Sequence, residues 1–184
     1  PASLLPISCG ETPDSLVDEL RDVIFNHEFM TKRVNTKEGI DMVKGSACNF
    51  YDGVSQKEVE DFYKNFNTPD EVEPVSCGLN STLRKKEGKI SEDVWSLNGL
   101  YGNAIKHIIY WLEKARDVAE NEGQFGYIDT LIKYYKTGDL HVFNEYCIKW
   151  VKEQSADVDF VNGFIEVYGD PLGLKGTWEG IVEY

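Results

Sequence analysis

Apolar positions recur at helical spacing over five stretches of this chain and at strand spacing over a few shorter ones. Leu16, Leu20, Val23 and Ile24 fall on one side of a helix that runs to about Phe29. Thr12-Pro13 starts it: threonine caps, and proline at the first helical position gives up no needed N–H. Residues 32–53 are less regular. Ser55-Gln56-Lys57-Glu58 has the form of a capping box, and it opens a helix with Val59, Phe62, Tyr63 and Phe66 on one face. Thr68-Pro69-Asp70 ends that helix. Over residues 71–95 the helical period fails. Residues 75–83 and 89–95 read as short extended segments around a turn at Glu87-Gly88.

The middle of the chain predicts three consecutive helices. Tyr101, Ile105, Ile108, Leu112, Ala115 and Ala119 form one apolar stripe over residues 96–121. Ile128, Leu131, Ile132 and Tyr135 face inward over residues 124–136. Gly138-Asp139 is a stop followed by a start, glycine capping one helix and aspartate the next. The third helix carries Phe143, Cys147, Trp150 and Val151 on one face. Short links imply an antiparallel arrangement. Beyond about Phe160 the pattern changes: residues 164–168 read as a strand, 169–173 as a turn cluster and 178–182 as a returning strand. The fold class expected is α+β and predominantly helical, with a few short strands. Residues 1–70 read as an N-terminal helical segment and 71–184 as helical hairpins plus short strands, together one structural unit. Because the sequence stops at Tyr184 soon after a strand-like run, a larger parent protein is expected.

Composition narrows the classes. A hydrophobic fraction of 41% and a charged fraction of 28% are those of a soluble globular protein. With 32 Asp and Glu against 19 Lys and Arg, the net charge of −13 repels phosphate backbones and argues against nucleic acid. Arg84-Lys85-Lys86, the one tight basic cluster, reads as a solvated turn. No run approaches the ~20 apolar residues that a membrane span requires. Four cysteines, Cys9, Cys48, Cys77 and Cys147, are widely spaced with no C-x-x-C, as expected of reduced thiols. That usage favours the cytoplasm and leaves a periplasmic or secreted parent open.

No complete catalytic set stands in the chain. His27-Glu28 begins like a zincin motif, but Thr31 occupies the place of the second histidine. His107 and His141 have no partner at ligand spacing, and Cys147 lies six residues from His141 on a different helix face. Neither a G-x-S-x-G nor a phosphate-binding glycine loop is present. The segment from Gly163 holds the best candidates. In an extended chain Phe164, Glu166 and Tyr168 share one face, with Ile165 and Val167 on the other. Such a carboxylate can hold an ammonium group, and the phenol can donate to a carbonyl oxygen or a developing oxyanion. The same pattern also describes an amphipathic strand with a solvent face, and pattern alone favours that plainer reading.

Asn162-Gly163-Phe164-Ile165-Glu166-Val167-Tyr168-Gly169-Asp170-Pro171-Leu172-Gly173, continued through Lys175-Gly176-Thr177-Trp178-Glu179-Gly180-Ile181-Val182, closely resembles the block before the zinc-binding region of the dipeptidyl-peptidase III family. Gly78-Leu79-Asn80-Ser81, residues 109–115 and residues 135–140 resemble its bacterial branch. The resemblance implies a zinc exopeptidase that releases dipeptides from peptides with a free N-terminus. Glu166 is then the residue that binds the peptide ammonium, Tyr168 the one that assists the scissile carbonyl, and Glu179 a residue near the same subsites. Some members carry arginine after that tyrosine, where this chain has Gly169. The family's H-E-x-x-x-H motif and its later glutamate motif are absent, so the resemblance implies zinc ligands outside this chain. It places the chain in the non-zinc, lower lobe of a two-lobed peptidase, partnered by the zinc lobe and inactive alone. The competing reading is a non-enzymatic helical module that binds a protein or ligand.

Overall fold

A computed structural model describes residues 10, 12–26, 28–64, 66 and 76–184. Its elements in order are α1 (Pro13–Phe25), β1 (Tyr51–Asp52), α2 (Gln56–Tyr63), β2 (Ser81–Lys86), β3 (Lys89–Val94), α3 (Gly102–Asp117), α4 (Glu122–Thr137), α5 (Leu140–Lys152), β4 (Asp159–Glu166) and β5 (Thr177–Glu183). The fold is α+β and mainly helical, as the periodicity predicts. One sheet has the order β1-β2-β3, with β1 parallel to β2 and β2 antiparallel to β3; β4 and β5 form a separate antiparallel pair.

Local chemistry sets most of the boundaries. Thr12 caps α1 and exchanges bonds with Ser15. Ser55 and Glu58 close the capping box of α2, the Ser55 amide donating to the Glu58 carboxylate at 2.9 Å. Glu87 and Gly88 turn the β2–β3 hairpin with φ of 50° and 79°, the left-handed pair a tight two-residue link requires. Gly138 ends α4 at φ 74°, and the Asp139 carboxylate then accepts the His141 amide at 2.9 Å to begin α5. The 68–70 stop signal and residue 75 lie outside the described residues; the extended segment expected over 75–83 is a strand only from Ser81, residues 76–80 forming bends and a turn before it.

Two cores result. The larger gathers Ile105, Ile109 and Leu112 of α3, Tyr127, Ile128, Leu131, Tyr134 and Tyr135 of α4, and Val142, Phe143 and Tyr146 of α5 against Trp95 and Phe164. The smaller holds Val43, Val54, Val59, Tyr63 and Leu83, with Leu172 and Leu174 packed on it. Tyr51 touches both. Trp95 links hairpin to helices: its ring lies 5.0 Å from Phe164 and 5.4 Å from Tyr101, and its indole N–H donates to Thr82 at 3.1 Å.

Several boundaries move from the sequence expectation. The helix expected over residues 96–121 occupies only Gly102–Asp117, because turns at Gly99 and Gly102 precede it and Asn121 caps the next helix, accepting from the Gln124 amide at 2.8 Å. On α5 the buried face is Val142, Phe143 and Tyr146, whereas Val151 is 60% exposed. The β1 strand was not foreseen: two residues paired in parallel give no readable alternation. Strand β4 starts at Asp159, earlier than expected, and stops at Glu166.

Candidate functional site

The β4–β5 ladder positions the residues singled out by the sequence. Gly163 pairs with Glu179, Phe164 with Trp178 and Glu166 with Thr177, with an irregularity between Phe164 and Glu166. Opposed residues of an antiparallel pair share a face. Glu166 therefore shares the face of Thr177, and Glu179, two residues along β5, shares it too. The extra residue at Ile165 causes this: a bulge re-aims the side chain that follows it. Strict alternation would have kept Phe164, Glu166 and Tyr168 together. Instead Phe164 turns into the main core at 5% exposure, and Ile165 and Val167 pack on that core from the side. Tyr168 is not on the strand; it sits in the turn beyond it, 69% exposed.

Glu166 and Glu179 are half-buried. Among the described residues no side-chain hydrogen bond or ion pair engages the Glu166 carboxylate, the Tyr168 hydroxyl or the Glu179 carboxylate. All three are thus available to a ligand, and a half-buried carboxylate gains most from a cationic one.

Beside them lies an apolar cavity of about 510 Å³ between α3, the β4–β5 pair and the segments that flank β1 and β3. Phe50, Trp95, Tyr101, Ile105, Ile108 and Trp178 wall it, and Arg33, Asn49 and Thr177 are its polar members. None of Glu166, Tyr168 and Glu179 lines it. Thr177 links the two regions, since it opposes Glu166 in the ladder and lines the cavity. Its hydroxyl is buried without a partner. Arg33 was missed by sequence reasoning, because it lies in the irregular stretch before β1. A Cβ on Gly169 would come within 2.8 Å of the Arg33 Nη2 atom. A guanidinium therefore does stand beside position 169, supplied from a distant part of the chain.

The turn from β4 to β5 is tied down at several points. Asp170 is 4% exposed, and its carboxylate accepts the amides of Leu172, Leu174 and Lys175 at 3.2, 2.8 and 2.8 Å. The Tyr51 hydroxyl donates to the same carboxylate at 2.8 Å. The Gly176 amide donates to the Leu79 carbonyl at 2.7 Å. Lys175 is fully buried; its ammonium donates to Ser81 Oγ at 2.8 Å and to the Tyr63 hydroxyl, and lies 3.6 Å from Glu92.

Titration follows these surroundings. Burial pushes the Lys175 ammonium down to about 8, an effect that Glu92 and Asp170 partly offset. Burial drives the Tyr51 and Tyr63 phenols upward, helped by Asp170 and Glu92 respectively. It also raises the Cys48, Cys77 and Cys147 thiols, all of them free.

Among the described residues no group of three or more His, Cys, Asp or Glu side chains is placed to hold a metal ion. His107 lines a second apolar groove, between α3 and the β4–β5 pair. His27 and Cys9 lie outside the described residues.

With this geometry in place, comparison with known proteins defines the class. The sequence profile of peptidase family M49 matches residues 49–184, and the chain belongs to that family. Among its curated relatives is dipeptidyl peptidase 3 of Nematostella vectensis, 25% identical over 201 residues, covering 95% of this chain and 26% of that protein. Dipeptidyl peptidase 3 of Dictyostelium discoideum is 32% identical over 93 residues, covering 49% of this chain and 14% of the relative. The human enzyme of the same name is 30% identical over 84 residues, covering 46% and 11%. This chain thus spans about a quarter or less of the length of these relatives. Solved structures share the fold, two of them as follows. Dipeptidyl-peptidase III from Caldithrix abyssi has a TM-score of 0.58 at 22% identity, over 90% of this chain and 31% of that one. Dipeptidyl-peptidase III from Corallococcus sp. strain EGB has 0.57 at 20% identity, over 93% and 33%. Among the described residues no helix is long and apolar enough to cross a membrane.

Proposed function

We propose that this chain is the substrate-binding part of a dipeptidyl-peptidase III-like zinc peptidase that releases dipeptides from peptides with a free N-terminus. In this reading the Glu166 carboxylate holds the peptide's terminal ammonium. Tyr168 donates to the scissile carbonyl and to the oxyanion that develops there, and Glu179 lines the neighbouring subsite. The observation that carries the proposal is the bulge that sets the half-buried, unengaged Glu166 on the face of Glu179, with the exposed Tyr168 in the adjoining turn. A plain solvent-facing strand needs no such bulge.

Residues 1–70 and 71–184 belong to one structural unit, the non-zinc lobe of the longer parent. Pairing of β1 with β2 supports a single unit, as it ties residue 51 to residue 83. Zinc belongs to the parent protein and its ligands to the partner lobe, so the isolated chain cleaves nothing. The half-buried free thiols favour a cytoplasmic parent. The test is dipeptide release from a free N-terminus by the parent protein. Release that stops when the substrate is N-acetylated supports the reading, and a parent with no peptidase activity contradicts it.

A further inference from the structure

Lys175 is 0% exposed, and a lysine is almost never buried so fully without a structural or chemical reason. Its ammonium is surrounded from every side. Ser81 of β2 and Tyr63 of α2 accept its protons, and Glu92 of β3 lies at 3.6 Å. The rings of Tyr63 and of Tyr51, on β1, stand 4.7 and 5.9 Å from it. Among the described residues, Asp170, in its own turn, and Cys77 are further titratable neighbours. Tyr63 and Ser81 in turn both donate to the same Glu92 oxygen, Ser81 at 2.7 Å, so the network closes on one carboxylate. Gly78 makes room for it: a Cβ there would meet the Tyr63 hydroxyl at 2.5 Å.

A serine next to a lysine of depressed basicity has the composition of a nucleophilic pair. Ser81 is only 1% exposed, however, and Lys175 is sealed, so no substrate reaches either atom. The chemistry is structural, and its place in the chain gives it a further role. Lys175 lies two residues before β5 begins, and Asp170 two residues after Tyr168. The turn between β4 and β5 is thus bolted at one end through Tyr51 to β1 and at the other through Lys175 to α2, β2 and β3. Leu172 and Leu174 pack on the smaller core between the two bolts.

We infer that Lys175 is a positioning residue for the proposed cleft: its buried ammonium fixes the 170–176 turn on the first sheet and thereby holds Tyr168 and the start of β5 in place. This rests on the reading of Glu166 and Tyr168 as substrate-binding groups. Uncoupling the ammonium frees the turn without touching any group that meets the peptide. The consequence is a loss of catalytic efficiency in a protein that remains folded.

The experiment uses the full-length parent, with Lys175→Met, Lys175→Arg, the double variant Tyr63→Phe/Ser81→Ala, and Glu166→Gln as a reference. Amide hydrogen exchange over 168–176 and over α4 is measured beside kcat and KM on a dipeptidyl chromogenic amide. In Lys175→Met, exchange over 168–176 is expected to rise at least tenfold while α4 stays protected, with kcat/KM down at least tenfold. Lys175→Arg, which keeps the charge and the donors, is expected to recover much of both. Where Lys175→Met fails to fold, the double variant replaces it and is expected to shift both readouts in the same direction. A folded variant with a loosened turn and unchanged kcat/KM overturns the inference when Glu166→Gln is impaired, since Lys175 is then a stabilising residue only. Unchanged kinetics in Glu166→Gln as well overturns the cleft reading itself.

Discussion

The Tyr51 hydroxyl donates to the Asp170 carboxylate at 2.8 Å across 119 residues of sequence, tying the two-residue strand β1 to the turn that follows Tyr168. Asp170 also accepts three amides of its own turn, so Tyr51 adds the one side-chain donor from outside it. Tyr51→Phe keeps the ring and removes that donor. Chemical denaturation of the 184-residue chain should show a loss of about 1.5–3 kcal/mol, the usual range for a bond to a charged acceptor. A change below a few tenths would mean that water replaces the phenol at no cost.

The depressed Lys175 sets a sign for the dependence of stability on pH. Its folded value is about 8 and its ordinary value 10.5, so between these limits the unfolded chain binds more protons. Lys175 therefore contributes stability that rises with pH across that window, by up to ~1.4 kcal/mol per unit. Cys48, Cys77 and Cys147 oppose it above about 9, and the buried tyrosines above about 10, because the unfolded chain ionises them first. The difference between wild type and Lys175→Met isolates the lysine. From pH 8 to pH 10 that difference should move in favour of the wild type, and equilibrium unfolding at several pH values measures it. A flat difference would mean that the ammonium titrates as it does in water.

Two glycines should respond differently to alanine. Gly138 has φ of 74°, and a Cβ there would meet Val94 Cγ1 at 2.4 Å, so Gly138→Ala should cost at least ~1–2 kcal/mol. Gly169 lacks a positive φ, and its Cβ would meet chiefly the movable tip of Arg33 at 2.8 Å. Gly169→Ala should stay within about 1 kcal/mol of wild type. Thermal melts of the two variants side by side make the comparison.

Much of the fold was legible because its signals are local. Ser55 with Glu58, Glu87-Gly88 and Gly138-Asp139 each carry their own reason for starting or stopping an element. The helical stripes that bury Ile105, Leu112, Leu131 and Tyr135 were readable for the same reason. What was not legible depends on contacts distant in sequence. Nothing in Tyr51-Asp52 announces a parallel pairing with Leu83 and Arg84. The irregularity around Ile165 exists only in the pairing with β5, so alternation read from β4 alone groups Glu166 with Phe164, whereas the ladder opposes Glu166 to Thr177 and Phe164 to Trp178. Arg33 and Lys175 look like ordinary surface cations until the fold brings one beside Gly169 and seals the other under Tyr63. Alternation pointed to Glu166 and Tyr168, resemblance supplied their roles and Glu179, and the bulge that groups the two carboxylates is a separate, structural observation.

Glu166 and Tyr168 carry the proposed activity, and steady-state kinetics of the parent enzyme carrying Glu166→Gln or Tyr168→Phe tests their roles most directly. Glu166→Gln removes a charge-assisted contact worth ~1.5–3 kcal/mol. It should raise KM by about 10- to 100-fold and erode the preference for free over acetylated N-termini. Tyr168→Phe removes a donor to the reacting carbonyl, so its loss should fall on kcat, by about 100-fold. Near-wild-type kcat/KM in both variants, with folding confirmed, would contradict the account and leave this face of β4 as the solvent side of a strand.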